Sequence, residues 1–395
     1  MQEQMAEENK KNLKIVFVIQ SAGYLAVDII NEFADNYDKV ALIAGNIRLQ
    51  DVRLKEKVKW LKIIKYNRGS PVKKLISWLV GTLQIFFLLV SRFRKYEIFY
   101  WTVPPLAYLL SLILPNKFSV IIMDVYPDVL KIYKVKESNI LYRFWQKWNR
   151  KLFSKAHQVF TIGEGMAKLL ESYITRERIT IIPLWTGLIK AAPVDKNDNP
   201  WLNNRGIEDK FIIQYSGNIG YTHNVEIIVE LANRMKEFNG YYFLIIGRGE
   251  KVKKIQDLIK KYKLSNCEIL PFQPDEVLVY SLAAADLGVV ILDEKVAHVS
   301  LPSKIYNIQA VGVPILAISP PDTELASHIK KYKNGMCFRQ DELDEIVQFI
   351  EELKNDKKML QHFSNNSKKA AADFTSENAK QYFNSYVTCN KKPDN

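Results

Sequence analysis

Apolar residues in the first half of the chain come in short, near-continuous runs: Leu13–Ile19, Lys39–Ala44, Glu97–Trp101, Phe118–Met123, Gln158–Ile162 and Ile179–Ile182. A strand covered on both faces needs such runs, whereas a half-solvated strand would alternate. Helical spacing separates most of them, and this order predicts a parallel sheet clad by helices. From about Pro183 to Asp209 the pattern lapses into Pro193, Asp195, Asn197, Asp198, Asn199, Pro200, Asn203, Asn204 and Gly206, a turn-rich connector. It then restarts, with strands expected at Phe211–Tyr215, Tyr242–Ile246, Glu268–Leu270, Leu287–Leu292, Pro314–Ile318 and near Met336–Phe338. After about Asp341 the chain reads as helical and increasingly polar.

At 395 residues the chain is too long for one ordinary core. The expected division is a first α/β domain over 1–185, a linker over 186–209, a second α/β domain over 210–370, and a C-terminal helix and tail over 371–395 that packs back on the first domain. Hydrophobic content of 48% with 25% charged residues is that of an ordinary folded protein. Cys267, Cys337 and Cys389 match no zinc or redox spacing and suit a reducing compartment. The polar start shows no cleavable signal pattern, so a cytoplasmic location is expected.

Charge changes the picture in one place. Between Arg48 and Tyr100 there are 13 Lys and Arg against 3 Asp and Glu, so +10 of the net +13 lies there. Inside this segment runs Leu75–Val90, apolar and flanked by Lys73, Lys74, Arg92, Arg94 and Lys95. It is somewhat short of the roughly 20 residues that cross a bilayer. Its basic flanks fit an element lying on anionic lipid, so the stretch from about 55 to 95 is expected to face a membrane. A buried helix with solvated ends is the other reading. The interleaved residues are aliphatic and Phe, not a stacking platform, and nucleic acid is not an expected partner.

Candidate chemistry gathers in the second half. Phe211-Ile-Ile-Gln-Tyr-Ser-Gly-Asn-Ile-Gly-Tyr-Thr-His223 reads as a buried strand, a turn carrying Gly217 and Gly220, and a helix opening near Asn224. That order aims backbone N–H groups and a helix start at one point, where a phosphate fits. Gly247-Arg-Gly-Glu250 repeats the theme, and Pro271-Phe-Gln-Pro274 turns a third strand end with backbone able to meet a flat polar ring. In Leu301-Pro-Ser-Lys-Ile-Tyr306, Ser303 is expected to cap a helix with Lys304 in its first turn. A Lys there opposes the helix dipole by a few tenths of a kcal/mol, a conflict that a bound anion would remove. Ligands of open parallel sheets bind at the carboxyl ends of the strands, so a phosphate-bearing ligand is expected at this edge. In the first half, Asp124 ends a strand and Asp128 follows across Tyr126-Pro127. A carboxylate there could accept a proton from a hydroxyl, or simply shape a turn. Glu294 and His298 are further loop candidates, while His157, His328 and His362 read as structural.

Together, Tyr215–His223, Gly247–Glu250, Pro271–Pro274, Ala284-Ala-Asp286, Leu301–Tyr306 and Gly312-Val-Pro314 resemble the family-four glycosyltransferases. The likeness extends to the bacterial branch that transfers N-acetylated or amino-deoxy sugars in surface-polysaccharide assembly. Asp124–Asp128, Ile162-Gly-Glu-Gly-Met166 and Ile182-Pro-Leu-Trp-Thr186 are similar to that branch in the same order. The resemblance implies a GT-B fold, two Rossmann-like parallel-sheet domains facing each other across a cleft. It implies a retaining hexosyl transfer without metal or other cofactor from a nucleotide sugar, most simply UDP-linked. The basic and apolar segment from about Lys55 to Lys95 is the reason to expect a lipid-linked saccharide at the inner membrane face as the acceptor. On this likeness Gly217, Asn218, Gly220 and Lys304 match diphosphate positions, with His223 assisting. Arg248, Phe272 and Gln273 match the nucleotide side, and Ser303 and Asn307 the start of the following helix. Asp124 matches the acceptor side.

The chain departs from the pattern at Val299 and Asn307, where many members carry a Glu pair, and at Tyr221, where many carry a basic residue. A sugar-nucleotide epimerase of the same fold and a non-catalytic scaffold of a polysaccharide assembly are the alternatives.

Overall fold

The computed structural model describes residues 13–48, 52–67, 69–133, 135–188, 194–203, 205–220, 223–293 and 302–390. The chain divides into two compact units, 1–187 with 376–395, and 188–375.

In the first unit β1 (Lys14–Val18), β2 (Ser21–Ala22), α1 (Tyr24–Asn36), β3 (Lys39–Ala44), β4 (Asn46–Ile47) and β5 (Val58–Lys62) are followed by α2 (Pro71–Arg92). Then come β6 (Glu97–Trp101), β7 (Phe118–Ile122), α3 (Ile140–Lys155), β8 (Gln158–Thr161), α4 (Glu164–Leu170) and β9 (Ile179–Ile181). Seven of these strands form one parallel sheet in the order β5-β3-β1-β6-β7-β8-β9, while β2 and β4 pair separately. The apolar runs lie in this sheet, as their two-sided burial requires. Strand β5 was not anticipated. It reads Val-Lys-Trp-Leu-Lys and exposes both lysines, the composition of an edge strand protected against further pairing. The basic stretch expected to face a membrane is therefore two things, an edge strand and a helix.

That helix, α2, has 22 residues and starts on a Ser70 side chain that accepts from Lys73 N, with Pro71 in the first turn. It is long and apolar enough to cross a membrane by length and composition. Its inward face is narrow, with Ser77, Ile85 and Leu89 buried. Its outer face shows Leu75, Leu79, Leu83 (58% exposed) and Phe87 (66% exposed), which excludes the fully buried alternative.

In the second unit β10 (Phe211–Asn218), α5 (Glu226–Arg234), β11 (Tyr241–Arg248), α6 (Val252–Lys261), β12 (Cys267–Leu270) and α7 (Asp275–Ala283) are followed by β13 (Leu287–Ile291). Next are α8 (Lys304–Ala310), β14 (Ile315–Ile318), α9 (Glu324–Tyr332), β15 (Gly335–Phe338), α10 (Leu343–Asn355) and α11 (Lys357–Ala371). The sheet is parallel in the order β12-β11-β10-β13-β14-β15. The connectivity reverses direction between β10 and β13, and a crevice opens at such a switch point. The connector is built onto this unit. Lys196 pairs with Asp286 at 2.6 Å, and Trp201 donates to the Gln273 side chain at 2.9 Å.

The last helix, α12 (Asn378–Asn390), belongs to the first unit. Tyr386 donates to Glu97 at 2.6 Å, Gln158 donates to Ser385 O at 3.0 Å, and the Tyr382 ring packs 5.0 Å from Phe160.

Candidate functional site: a glycine turn over a buried lysine

The two glycine turns of the second unit are one structure. Strands β10 and β11 pair in register to their last residues, with Gly217 opposite Gly247 and Asn218 opposite Arg248. A Cβ on Gly247 would overlap Gly217 O, and one on Gly220 would sit 2.7 Å from Asn218 Nδ2. A side chain at 247 would hold the two strand ends apart, and one at 220 would displace the Asn218 amide. The turn lies beside the switch point, and Lys304 reaches it from α8, the helix that follows β13.

Lys304 is the centre of the arrangement. Its Nζ lies 3.8 Å from the centroid of the Tyr215 ring, on the electron-rich face that attracts a cation. A Cβ at position 217 would stand 3.0 Å from that Nζ and 3.2 Å from Cε, so the glycine leaves the ammonium its place. The stem of Lys304 is partly exposed, but Nζ itself is buried and has no hydrogen-bond partner among the described residues. Burial pulls its pKa from the ordinary lysine value down to about 7. Tyr215 is held in turn by its hydroxyl, which donates to Asn218 O at 2.6 Å.

His223 stands on the same turn. Burial first, then the positive charges of Lys304 and Lys251, pull its pKa down to about 4, against the opposing charge of Asp293. It is neutral at physiological pH, able to hydrogen-bond a ligand but not to add charge. Lys251 was missed in the sequence, where it looked like one more surface lysine after Gly-Arg-Gly-Glu. Its backbone N donates to Ile219 O at 3.0 Å, and its ammonium pairs with Glu226 on α5. Glu250 was also missed, and its carboxylate comes within 3.3 Å of where a Gly220 Cβ would be.

On the far side of the turn the Arg248 guanidinium lies 5.1 Å from the centroid of the half-exposed Phe272 ring. The structure thus gathers Gly217, Asn218, Gly220, His223, Arg248, Phe272 and Lys304 along one edge. Gln273 is occupied within the protein, accepting from Trp201 and donating to Pro271 O at 2.8 Å, which leaves only its backbone to read a base. Ser303 does not cap α8: its backbone is already helical and its side chain makes no capping bond, so Lys304 begins a helix with a bare end. Asn307 lies half-buried on α8. Tyr221, Glu294, His298 and Val299 lie outside the described residues.

Asp124 is in the other unit, half-buried just past β7. Asp128 is buried, accepts from the hydroxyls of Tyr142 (2.8 Å) and Tyr173, and pairs with Lys131 at 3.1 Å. With its oxygens so engaged, Asp128 ties the loop to α3 rather than awaiting a ligand. His157 packs its ring on Tyr386, His328 meets Gln309 at 2.8 Å, and His362 meets Asn366 at 3.1 Å. All three sit in packing or helix-surface contacts.

Comparison with known proteins bears on the unit that holds this edge. Residues 198–370 match the family model described as glycosyl transferases group 1. The probable glycosyltransferase WbjE of Pseudomonas aeruginosa is 26% identical over 307 residues, covering 73% of this chain and 74% of that protein. The putative colanic acid biosynthesis glycosyl transferase WcaI of Escherichia coli is 28% identical over 193 residues, 48% of this chain and 47% of its own. Among solved structures, Anabaena HepE in complex with UDP and glucose superposes with a TM-score of 0.70 at 13% identity, covering 95% of this chain and all of that one. This last likeness gives the fold, GT-B with two parallel-sheet α/β domains.

Proposed function

With a GT-B glycosyltransferase carrying a group 1 domain as the premise, we propose that the protein transfers a sugar from a nucleotide diphosphate donor, in the simplest case UDP-linked, to a lipid-linked saccharide during surface-polysaccharide assembly. One observation carries this reading: the buried ammonium of Lys304, without a hydrogen-bond partner among the described residues, set under a glycine turn at the carboxyl edge of the sheet. An isolated buried cation is costly, and a bound anion is the partner that offsets the cost. In the transfer, the anomeric carbon–oxygen bond to the diphosphate breaks as the acceptor hydroxyl oxygen bonds to that carbon, and the hydroxyl proton passes to the departing diphosphate oxygen. Negative charge grows on the departing diphosphate, and Lys304 is aimed where it develops. The glycines let the phosphates approach the backbone, neutral His223 offers a hydrogen bond, and Arg248 on Phe272 offers a planar cation on the nucleotide side.

In this reading Lys304 supplies the charge that a metal ion supplies elsewhere, so transfer proceeds in chelator, with retention at the anomeric carbon. Asp124 is the acceptor-side carboxylate of the first unit. The exposed face of α2, with its basic flanks, supports peripheral docking on anionic lipid at the cytoplasmic face. An epimerase of the same fold would need no acceptor and would leave that face unexplained.

The test is thermal unfolding across a panel of nucleotide sugars. One donor raises the melting temperature of the wild type, and Lys304→Ala removes the shift. A shift that survives Lys304→Ala overturns the diphosphate site. No shift with any donor favours a scaffold.

A further inference from the structure

The first unit has its own pocket at the carboxyl ends of β1, β3 and β5, outside the donor residues. Its volume is about 340 Å³, and it is lined by Ser21, Asn46, Arg48, Lys65 and Tyr66. The lining combines two cations with a hydroxyl, an amide and a phenol, and among the described residues it contains no carboxylate. Arg48 and Lys65 enter no ion pair with described residues.

The wall of this pocket is fixed by close backbone approach. A Cβ on Gly45 would overlap Ile64 O and stand 2.8 Å from Lys65 Cα, so the glycine lets the segment after β5 close on the link between β3 and β4. Helix α2 is fastened to the same wall. Buried Gln20 donates to Ser77 O at 2.7 Å and to Ile64 O at 3.3 Å, and Ile64 N donates to Gln84 at 2.8 Å. Tyr66, one of the lining residues, stacks on Trp78 of α2 with ring centroids 6.1 Å apart. The cationic pocket and the exposed apolar helix are therefore one rigid piece.

We propose that this pocket holds the phosphate or diphosphate group of the lipid-linked acceptor, whose hydrocarbon lies against the exposed face of α2. The inference rests on the reading of the chain as a transferase with such an acceptor. A phosphate ester presents several oxygens, which the Arg48 fork and the Lys65 ammonium meet with charge-assisted hydrogen bonds. The lipid is the source of the phosphate, because the pocket is tied to a helix showing Leu75, Leu79, Leu83 and Phe87 between basic ends. A free phosphate would have no use for that face.

The experiment is co-sedimentation of the full chain with phosphatidylcholine vesicles carrying either a long-chain prenyl phosphate or the matching prenol. The UDP-induced thermal shift is recorded in parallel. Wild type is expected to bind the phosphate vesicles about tenfold more tightly than the prenol vesicles, the scale of a lost charge-assisted contact. Inorganic diphosphate competes for that advantage. Arg48→Gln with Lys65→Gln, both at exposed positions, removes the preference while the UDP shift stays intact. Equal binding of wild type to the two vesicles overturns the proposal, as does full preference in the double variant. Tight binding of inorganic diphosphate without any vesicle preference also overturns it, by making this a soluble-phosphate site. A chain that shows the vesicle preference but no UDP shift upholds the pocket and fails the donor reading.

Discussion

The two units share a plan, a parallel sheet whose carboxyl edge is closed by a glycine that lets backbone approach backbone, yet they present positive charge in opposite ways. At Gly217 and Gly247 the cation is Lys304, buried over an aromatic ring with no described hydrogen-bond partner. At Gly45 the cations are Arg48 and Lys65, both exposed. A solvated cation costs little when its site is empty and gains little when an anion arrives, so it suits holding and steering. A buried one is unfavourable until an anion meets it, and its attraction is strongest where water is excluded. The difference matches a division of labour between stabilising charge that grows during a reaction and gripping charge that is delivered ready-made.

Replacing Lys304 by Met should break the contrast most severely. Loss of a preorganised charge in such a site costs on the order of a thousandfold in kcat/KM. The same variant should melt at a higher temperature than wild type when both are empty at pH 6, since it removes a buried charge that has no hydrogen-bond partner among the described residues. Lower activity together with lower empty-state stability would mean that Lys304 is a structural residue.

The next largest effect belongs to the first unit. Leu83→Asp with Phe87→Asp should weaken binding to anionic vesicles by at least about a hundredfold, given roughly 1.5–3 kcal/mol for each apolar side chain withdrawn from lipid. The donor-induced melting shift should be unchanged. A parallel loss of both would show that α2 supports the fold rather than a surface.

Gly217→Ala tests the fit of the turn. The added carbon would crowd Nζ at 3.0 Å, and donor affinity should fall about tenfold by calorimetry, a modest displacement cost. Wild-type affinity would show that the lysine moves aside.

The smallest effect is the most diagnostic. With Lys304 at about 7 when empty, a bound diphosphate raises its pKa, so donor binding at pH 8 takes up a proton. Affinity then declines as pH rises above about 7, by at most about tenfold per unit. The uptake appears as a dependence of binding heat on buffer ionisation enthalpy, and it disappears in Lys304→Met. His223, at about 4, adds nothing in this range. For the empty protein the sign is reversed. The unfolded chain keeps its lysine proton up to the ordinary value of 10.5 while the fold gives it up near 7, so this residue makes stability rise with pH between the two.

Most strands were legible because a strand buried on both faces can only be an apolar run. Strand β5 was not, because an edge strand protects itself with Lys59 and Lys62, and these read as surface charge. In the site, the glycines and the misplaced Lys304 were visible as local rules broken. The meeting of Gly217 with Gly247 was not, since it depends on which strands become neighbours. For the same reason the sequence did not show Tyr215 as a platform for the lysine, nor Asp128 as a tether for tyrosines 14 and 45 residues away. The expected Ser303 cap failed on backbone geometry, which residue type alone does not specify.

The return of α12 to the first unit also sets an order of assembly. The second unit is one continuous stretch, 188–375, and its sheet can close as soon as that stretch has left the ribosome. The first unit begins earlier but cannot complete its Glu97–Tyr386 tie until the far end of the chain exists. Although made first, the unit that carries α2 is therefore the last to mature, and until then the apolar surface that receives α12 is open to chaperones.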